Sequence, residues 1–473
     1  MDRVVADTYF LGIDIGTQSV RAFAVTPTGE VLARGAVALS SSRHGVLHEQ
    51  DPTEWWFATV RAVNVVTREL PDVTVRAVAC CGTSGTVLFR TPDGQAVTSV
   101  LMYDDERAPA VTLRRLDGST ARVPPSWGLA KARWLLREHQ LPSDARLAHQ
   151  VDVLTFQLTG GVTATDWSSA LKSGADPTTG TWADGLPLPV QRLPEVVAPG
   201  TPIGRVSDLA AEATGIPAGT PVLAGLTDGC AAQVAAGALR AGSWNLVFGT
   251  TFVLKGCTAE RLEDPTGQIY SHRSPDGSWW PGRASAAGHG ALGALLDRPL
   301  DFEAMDAAAA ALAERLSPSL PLCDPVVAEP RLVEAESGRA LDPATDVEPA
   351  ASYLAVQLGT AFLARRWLER VAELGADITG AIGLTGGAVR SPFFRQLIAD
   401  VLGREVRVPA IAEGAVGMAV LAAASGSGEY GSLAEAADAM VRIEQHCGPT
   451  NPGRWDELYE RWLSFFDPIP PPP

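Results

Sequence analysis

The hydrophobic pattern of the chain alternates buried strands with short polar, glycine-bearing loops. Residues 9–15, Tyr-Phe-Leu-Gly-Ile-Asp-Ile, carry almost no polar relief, which predicts a buried strand. Its acid, Asp14, is costly there unless it faces a cleft or a metal. Gly16 permits a tight turn and close approach to a ligand, and Thr17 adds a hydroxyl beside exposed backbone N–H groups. Residues 19–25 predict a returning strand, and Pro27-Thr28-Gly29 a hairpin turn. The stretch fits a phosphate-binding hairpin. It also fits an ordinary hairpin with one awkward acid, the commoner outcome for such a turn alone.

Further along, His48-Glu49-Gln50-Asp51-Pro52 leads into a helix holding Trp55, Trp56, Val60 and Val63, with Asp51 or Thr53 as its cap. Residues 73–80 predict a buried strand running into Gly82-Thr83-Ser84-Gly85-Thr86. A small polar loop there suits a ligand and a simple turn equally. A strand is expected to end in Tyr103-Asp104-Asp105-Glu106-Arg107, where a solvated charge run is the usual explanation, and the buried apolar strand directly before it favours a cleft role. Helices are expected over 128–139 and 152–160, then a loop-rich stretch to Pro221. The strand at 222–225 leads through Thr227-Asp228-Gly229 into a small-residue helix, where Asp228 is a cap unless the rest of the chain supports chemistry.

Residues 242–254 repeat the first plan without its acid: apolar strand, Gly249-Thr250-Thr251, returning strand. This repetition predicts two related domains facing each other. Gly288-His289-Gly290, an Ala-rich helix over 302–316, a Pro- and acid-rich connector over 317–349 and a long amphipathic helix over 352–374 follow. The strand 382–385 opens into Gly386-Gly387, which permits close approach of a planar or phosphorylated ligand. Helices are expected at 393–402, 415–424 and 455–466, before a Pro-rich tail.

At 473 residues, two or three domains are expected. The longest apolar runs fall short of the ~20 residues that span a bilayer, and Met1-Asp2-Arg3 does not open a secretory signal. The net charge of −16 argues against a nucleic-acid partner. Lys131, Lys172 and Lys255 are the only lysines, and the six cysteines lack metal-type spacing, which points to reduced thiols and a cytoplasmic location.

No Gly-x-x-x-x-Gly-Lys-Ser/Thr loop occurs. The order Asp14-Gly16-Thr17, Gly249-Thr250-Thr251, Gly386-Gly387 instead resembles the actin-like ATPases. Within that superfamily, the segment Gly386–Asp400 resembles the C-terminal signature of the FGGY carbohydrate kinases, with a loop one residue longer. Tyr103-x-Asp105-x-Arg107 is similar to their Trp-x-Asp-x-Arg sugar segment, Thr227-Asp228-Gly229 to the segment with their base, and Glu413-x-Ala415-x-Gly417 to a further part of the pattern. Five motifs in order, from about Phe10 to Ala424, carry the resemblance.

The resemblance implies an α/β, two-domain actin-like ATPase (ribonuclease H-like) fold with a cleft between the domains. These would be an N-terminal kinase domain over 1–241, a C-terminal one over 242–440, and a C-terminal helix and tail over 441–473. It implies ATP and Mg²⁺, with Asp228 as catalytic base and Asp14 orienting the metal or the attacking hydroxyl. Asp14, Ser84, Asp105, Arg107 and Asp228 would bind the sugar. Gly16, Thr17, Gln18, Gly249, Thr250, Thr251, Gly386, Gly387, Ser391 and Phe394 would bind the nucleotide. Loop 81–86 lacks the Met-His pair of bacterial xylulose kinases and looks more like the D-ribulose kinases. D-ribulose is therefore expected first, D-xylulose second and another polyol or sugar after them. The partners expected are sugar and ATP, with no membrane, in a monomer or homodimer. A nucleotide-clamp binding protein is the non-enzyme alternative. The retained Asp14 and Asp228 speak against a dead kinase, and nothing after Ala424 is long enough for a peptide-binding domain.

Overall fold

The computed structural model describes residues 7–114, 120–296, 299–315, 320–426 and 428–469. The Met1-Asp2-Arg3 terminus, the Leu316 end of the Ala-rich helix, residues 317–319 of the connector and the proline tail from 470 lie outside them. Two compact units result: Met1–Gly237 with His272–Gly277 and Ile411–Arg442, and Ala238–Ser271 with Ser278–Ala410 and Ile443–Pro473. Segment 411–442 belongs to the first unit, although a contiguous division at 241 assigns it to the second.

In the first unit, Thr8–Ile15 pairs antiparallel with Ser19–Val25 and parallel with Thr74–Gly82. Val31–Ala38 extends one side of the sheet, and Pro221–Thr227 then Pro202–Arg205 extend the other. The central strand is buried from Tyr9 to Ile13 because sheet neighbours flank it and helices cover it. Helix Pro52–Glu69 starts at Asp51, whose Oδ1 accepts from Thr53 N at 2.8 Å, with proline in the first turn. It buries Trp55, Ala62, Val63 and Val66. Helix Gly414–Gly426 packs close: an added Cβ on Gly12 would stand 1.7 Å from Ala415 O, and one on Gly417 2.2 Å from Ala231 O.

The second unit repeats this order. Trp244–Phe248 is central, antiparallel to Phe252–Gly256 and parallel to Ile382–Thr385, with Trp279–Ala284 and Val406–Pro409 outside them. Both units thus set a hairpin beside a parallel strand in the same sequence, which is the actin-like plan. The core of the second unit gathers Trp244, Phe248, Trp367, Phe394 and Trp462 around helix Pro349–Glu373.

Three expectations change. The strand leading into Tyr103 reduces to two isolated bridges, Arg90 with Ala96 and Val87 with Leu101. The stretch before Pro221 contains the helix Asp208–Thr214, started by Ser207 and stopped by Gly215 at φ +74°. The connector holds a three-stranded sheet over Pro321–Asp324, Arg331–Glu334 and Ala340–Leu341. Among the described residues, no helix is long and apolar enough to cross a membrane.

Gly12 faces backbone, which cannot swing aside. Gly12→Ala is therefore expected to lower the unfolding free energy by about 3 kcal/mol, read by urea denaturation. An unchanged midpoint would contradict the packing described here.

Candidate active site

Asp14 is next to last in its strand, in register with Arg21 on one side and Cys81 on the other. The Cys81 thiol donates to Asp14 Oδ1 at 3.3 Å. A Cβ on Gly414 would lie 3.0 Å from Asp14 Oδ2, so the first turn of helix Gly414–Gly426 meets the carboxylate through a glycine. Arg21 Nη1 pairs with Glu413 Oε2 at 2.6 Å. Burial raises the Asp14 pKa from 3.8 to about 6; the Cys81 hydrogen bond opposes the rise and the charge on Asp228 adds to it.

Asp228 is the first residue of helix Asp228–Ala235, and the capping position belongs to Thr227. The Asp228 side chain is exposed and accepts from Gly229 N at 2.7 Å. Thr227 is held from behind. Its N–H donates to Ser168 Oγ at 3.0 Å, and Ser168 Oγ donates to Asp166 Oδ1 at 2.5 Å. Tyr103 lies near this acid: burial, then the charges of Asp104 and Asp228, push its hydroxyl pKa up.

Loop 82–86 is fixed by Gln150, whose Oε1 accepts from Thr83 N at 2.8 Å and Thr83 Oγ1 at 2.7 Å. Ser84 Oγ is buried without a hydrogen-bond partner. The backbone oxygen of Ser84 accepts from Lys172 Nζ at 3.4 Å, and Lys131 Nζ donates to Met102 O at 2.6 Å. Two of three lysines in the chain thus hold the two segments expected at the sugar. Asp105 is fully buried. It accepts from His48 N at 2.7 Å and from Arg107 Nη2 at 2.7 Å, so it orients Arg107 from beneath. Arg107 also pairs with Glu49 at 2.6 Å. Gly16 N donates to Ser19 O at 3.0 Å across the turn that includes Thr17 and Gln18. Gln50 Nε2 anchors that turn through Thr17 O at 2.6 Å.

The second unit holds the other expected residues. Gly249 N donates to Thr251 O at 3.1 Å, closing the turn around Thr250. Gly386 has φ +95°, and its added Cβ would lie 2.4 Å from Phe248 O, so glycine is required. A Cβ on Gly387 would meet nothing within 4 Å: space lies open over it. Ser391 Oγ accepts from Phe394 N at 2.9 Å, capping helix Pro392–Leu402. Phe394 is fully buried, with its ring centroid 5.0 Å from that of Phe248. Of these residues, Lys131, Lys172, Gln50, Gln150, Ser168 and Asp166 had not been singled out for the site. The scarcity of lysine was the one available signal.

Among the described residues, no three His, Cys, Asp or Glu side chains gather as a metal cage. Asp14 with its acidic neighbour fits a magnesium-type ion, which binds through one or two carboxylates with phosphates and water completing the shell.

The N-terminal domain model of the FGGY family of carbohydrate kinases matches residues 9–235, and the C-terminal domain model matches 245–426. The chain is 29% identical over 454 residues to a xylulose kinase of Streptomyces rubiginosus, covering 89% of this chain and 88% of that one. It is 27% identical over 499 residues to a glycerol kinase of Acidovorax ebreus, covering 96% and 98%. The crystal structure of xylulose kinase from Rhodospirillum rubrum superposes with a TM-score of 0.84 at 25% identity, over 97% of this chain and 98% of that one.

The raised Asp14 pKa fixes the sign of a stability effect. The folded state favours the protonated acid, so its stabilising contribution is complete below pH 3.8 and lost as pH rises through 6. Asp14→Asn is therefore expected to stabilise the fold at pH 8 by up to about 3 kcal/mol, and to leave it nearly unchanged at pH 3.5. Thermal unfolding at both values checks this; a loss of stability at pH 8 would contradict it.

Proposed function

Since the chain belongs to the FGGY family of carbohydrate kinases, we propose that it transfers the γ-phosphoryl group of ATP to a ketopentose, with D-xylulose the first substrate and D-ribulose the second. The observation that carries this order is whole-chain similarity to proteins named xylulose kinase, over 89% of the chain in the Streptomyces rubiginosus case. It reverses the expectation from loop 81–86, which rested on a few residues. D-ribulose stays as the second reading because loop 82–86 carries Ser84, whose Oγ has no hydrogen-bond partner within the protein, in place of a Met-His pair.

In the reaction, the terminal hydroxyl oxygen of the ketopentose attacks the γ-phosphorus. The bond from that phosphorus to the oxygen of the ADP leaving group breaks, and the hydroxyl proton passes to Asp228. An exposed carboxylate on a braced strand end suits this role, because its N-terminal helix position is fixed while its oxygens remain accessible. Asp14 orients the hydroxyl or holds Mg²⁺, which when bound neutralises phosphate charge. Arg107, oriented by Asp105, and loop 82–86 bind sugar hydroxyls. The N–H groups of the turns at Gly16-Thr17-Gln18 and Gly249-Thr250-Thr251 bind phosphates. Gly386-Gly387 receives the adenosine, with Ser391 and Phe394 shaping that loop. Phosphoryl transfer is mostly positioning and charge stabilisation, so backbone donors serve in place of a phosphate-binding lysine.

The test compares kcat/KM for D-xylulose and D-ribulose at saturating ATP and Mg²⁺, in the native protein and in Ser84→Ala. The native protein is expected to prefer D-xylulose. Loss of one hydrogen bond that leaves a buried sugar hydroxyl unpaired costs about 1–3 kcal/mol, roughly tenfold to a hundredfold in kcat/KM. Ser84→Ala should show that loss, and more strongly for D-ribulose. Turnover of neither ketopentose would sink the proposal, and unchanged values in Ser84→Ala would remove loop 82–86 from the sugar site.

A further inference from the structure

Beside the second glycine-threonine turn lies a segment with no role so far, Gly288-His289-Gly290. It lies directly on the turn. Gly290 N donates to Thr250 O at 2.9 Å, and a Cβ on Gly288 would come within 2.8 Å of Thr250 O and of Thr251 Cα. The His289 ring meets the rings of two other elements edge-on. Its centroid is 4.6 Å from that of Phe394 at 87°, and 6.2 Å from that of Phe248 at 89°. Phe248 immediately precedes Gly249, and its carbonyl is the atom that excludes a side chain from Gly386. Phe394 lies in the first turn of the helix capped by Ser391.

A tether fixes the ring. Nε2 lies 2.6 Å from Gln357 Oε1, on helix Pro349–Glu373. The amide oxygen only accepts, so Nε2 carries the proton and Nδ1 is the unprotonated nitrogen. Burial brings the pKa of the ring down to about 4, so the imidazole is neutral at pH 7. An aromatic ring of this size would fill the gap between Phe248 and Phe394 without the tether. A histidine bonded to a buried glutamine adds one fixed orientation.

We propose that His289 is a positioning residue for the nucleotide: tethered to Gln357 and wedged against Phe248 and Phe394, its ring sets the spacing between the Gly249–Thr251 turn and the Gly386–Gly387 pair. This rests on the reading of those two elements as the phosphate and adenosine ends of the ATP site. One ATP must reach both, so a displacement of about 1 Å between them is felt strongly in binding and rate.

The test uses the full chain with ATP and Mg²⁺, measuring the ATP Kd by calorimetry, the ATP and sugar KM values, and thermal unfolding. His289→Phe keeps the aromatic wedge and removes the tether, and Gln357→Leu removes it from the other side. Gly387→Val is the control for the site itself, since its added Cβ meets no protein atom within 4 Å and the variant is expected to fold. The expected result is an ATP Kd raised about tenfold or more in both tether variants, with the sugar KM and the unfolding temperature nearly unchanged. Native ATP affinity in both tether variants, with binding lost in Gly387→Val, would make His289 a core filler and overturn this inference alone. Equal weakening of sugar and ATP would overturn it as well, by pointing to general damage. Native ATP affinity in Gly387→Val would overturn the nucleotide reading, and the inference with it.

Discussion

A carboxylate set into the end of a buried central strand is the constraint on which the first unit depends. Desolvation works against the charge on Asp14, and Asp228 repels it further. A thiol hydrogen bond from Cys81 and the charge of Arg21 favour the ionised form. The surrounding elements reach this acid by close backbone approach. Gly12 admits helix Gly414–Gly426 onto the sheet, Gly414 lets its first turn meet the carboxylate, and Gly417 lets it cross the helix that begins at Asp228. A helix N-terminus beside a carboxylate supplies partial positive charge where no lysine is present. The Glu413-x-Ala415-x-Gly417 segment thus has a physical meaning: an ion pair to Arg21, a contact on Gly12 and a close crossing.

The second unit repeats the strand order without the acid. Val247 stands at the register position that Asp14 holds in the first unit, Phe248 follows where the first unit has Ile15, and Gly249-Thr250-Thr251 offers N–H groups and hydroxyls alone. Freed from a buried charge, this strand end is packed with aromatic rings instead, Phe248 against Phe252 at 5.3 Å and against Phe394 at 5.0 Å. The same hairpin therefore has an acid in one unit and an aromatic floor in the other.

Both hairpins, the strands that follow them and most helices were legible in the sequence, because apolar runs bounded by glycine leave a local signal. Asp14 stood out because a charge is rare within such a run. Less local features were not legible. The return of segment 411–442 to the first unit is a tertiary fact, and Gly12 and Gly417 reveal their need for close approach only once the helix lies on them. Gln50, Gln150, Ser168 and Asp166 act through partners up to 67 residues away, with no periodicity to mark them. Phe394 is expected from the resemblance to bind the nucleotide, whereas the helix phase turns its side chain into the core of the second unit. The order of the two ketopentoses was drawn from one loop, and similarity along the whole chain points the other way.

The proposed chemistry requires that ATP give its γ-phosphoryl group to a sugar hydroxyl whose proton passes to Asp228. The most direct measurement follows ADP and ketopentose 5-phosphate together, with and without D-xylulose or D-ribulose, in the native protein and in Asp228→Asn. The account predicts equal amounts of both products, ADP formation that depends on the sugar, and turnover reduced about 10²–10⁴-fold in the folded Asp228→Asn protein. ATP turnover indifferent to any sugar, or near-native turnover without the Asp228 carboxylate, would contradict it.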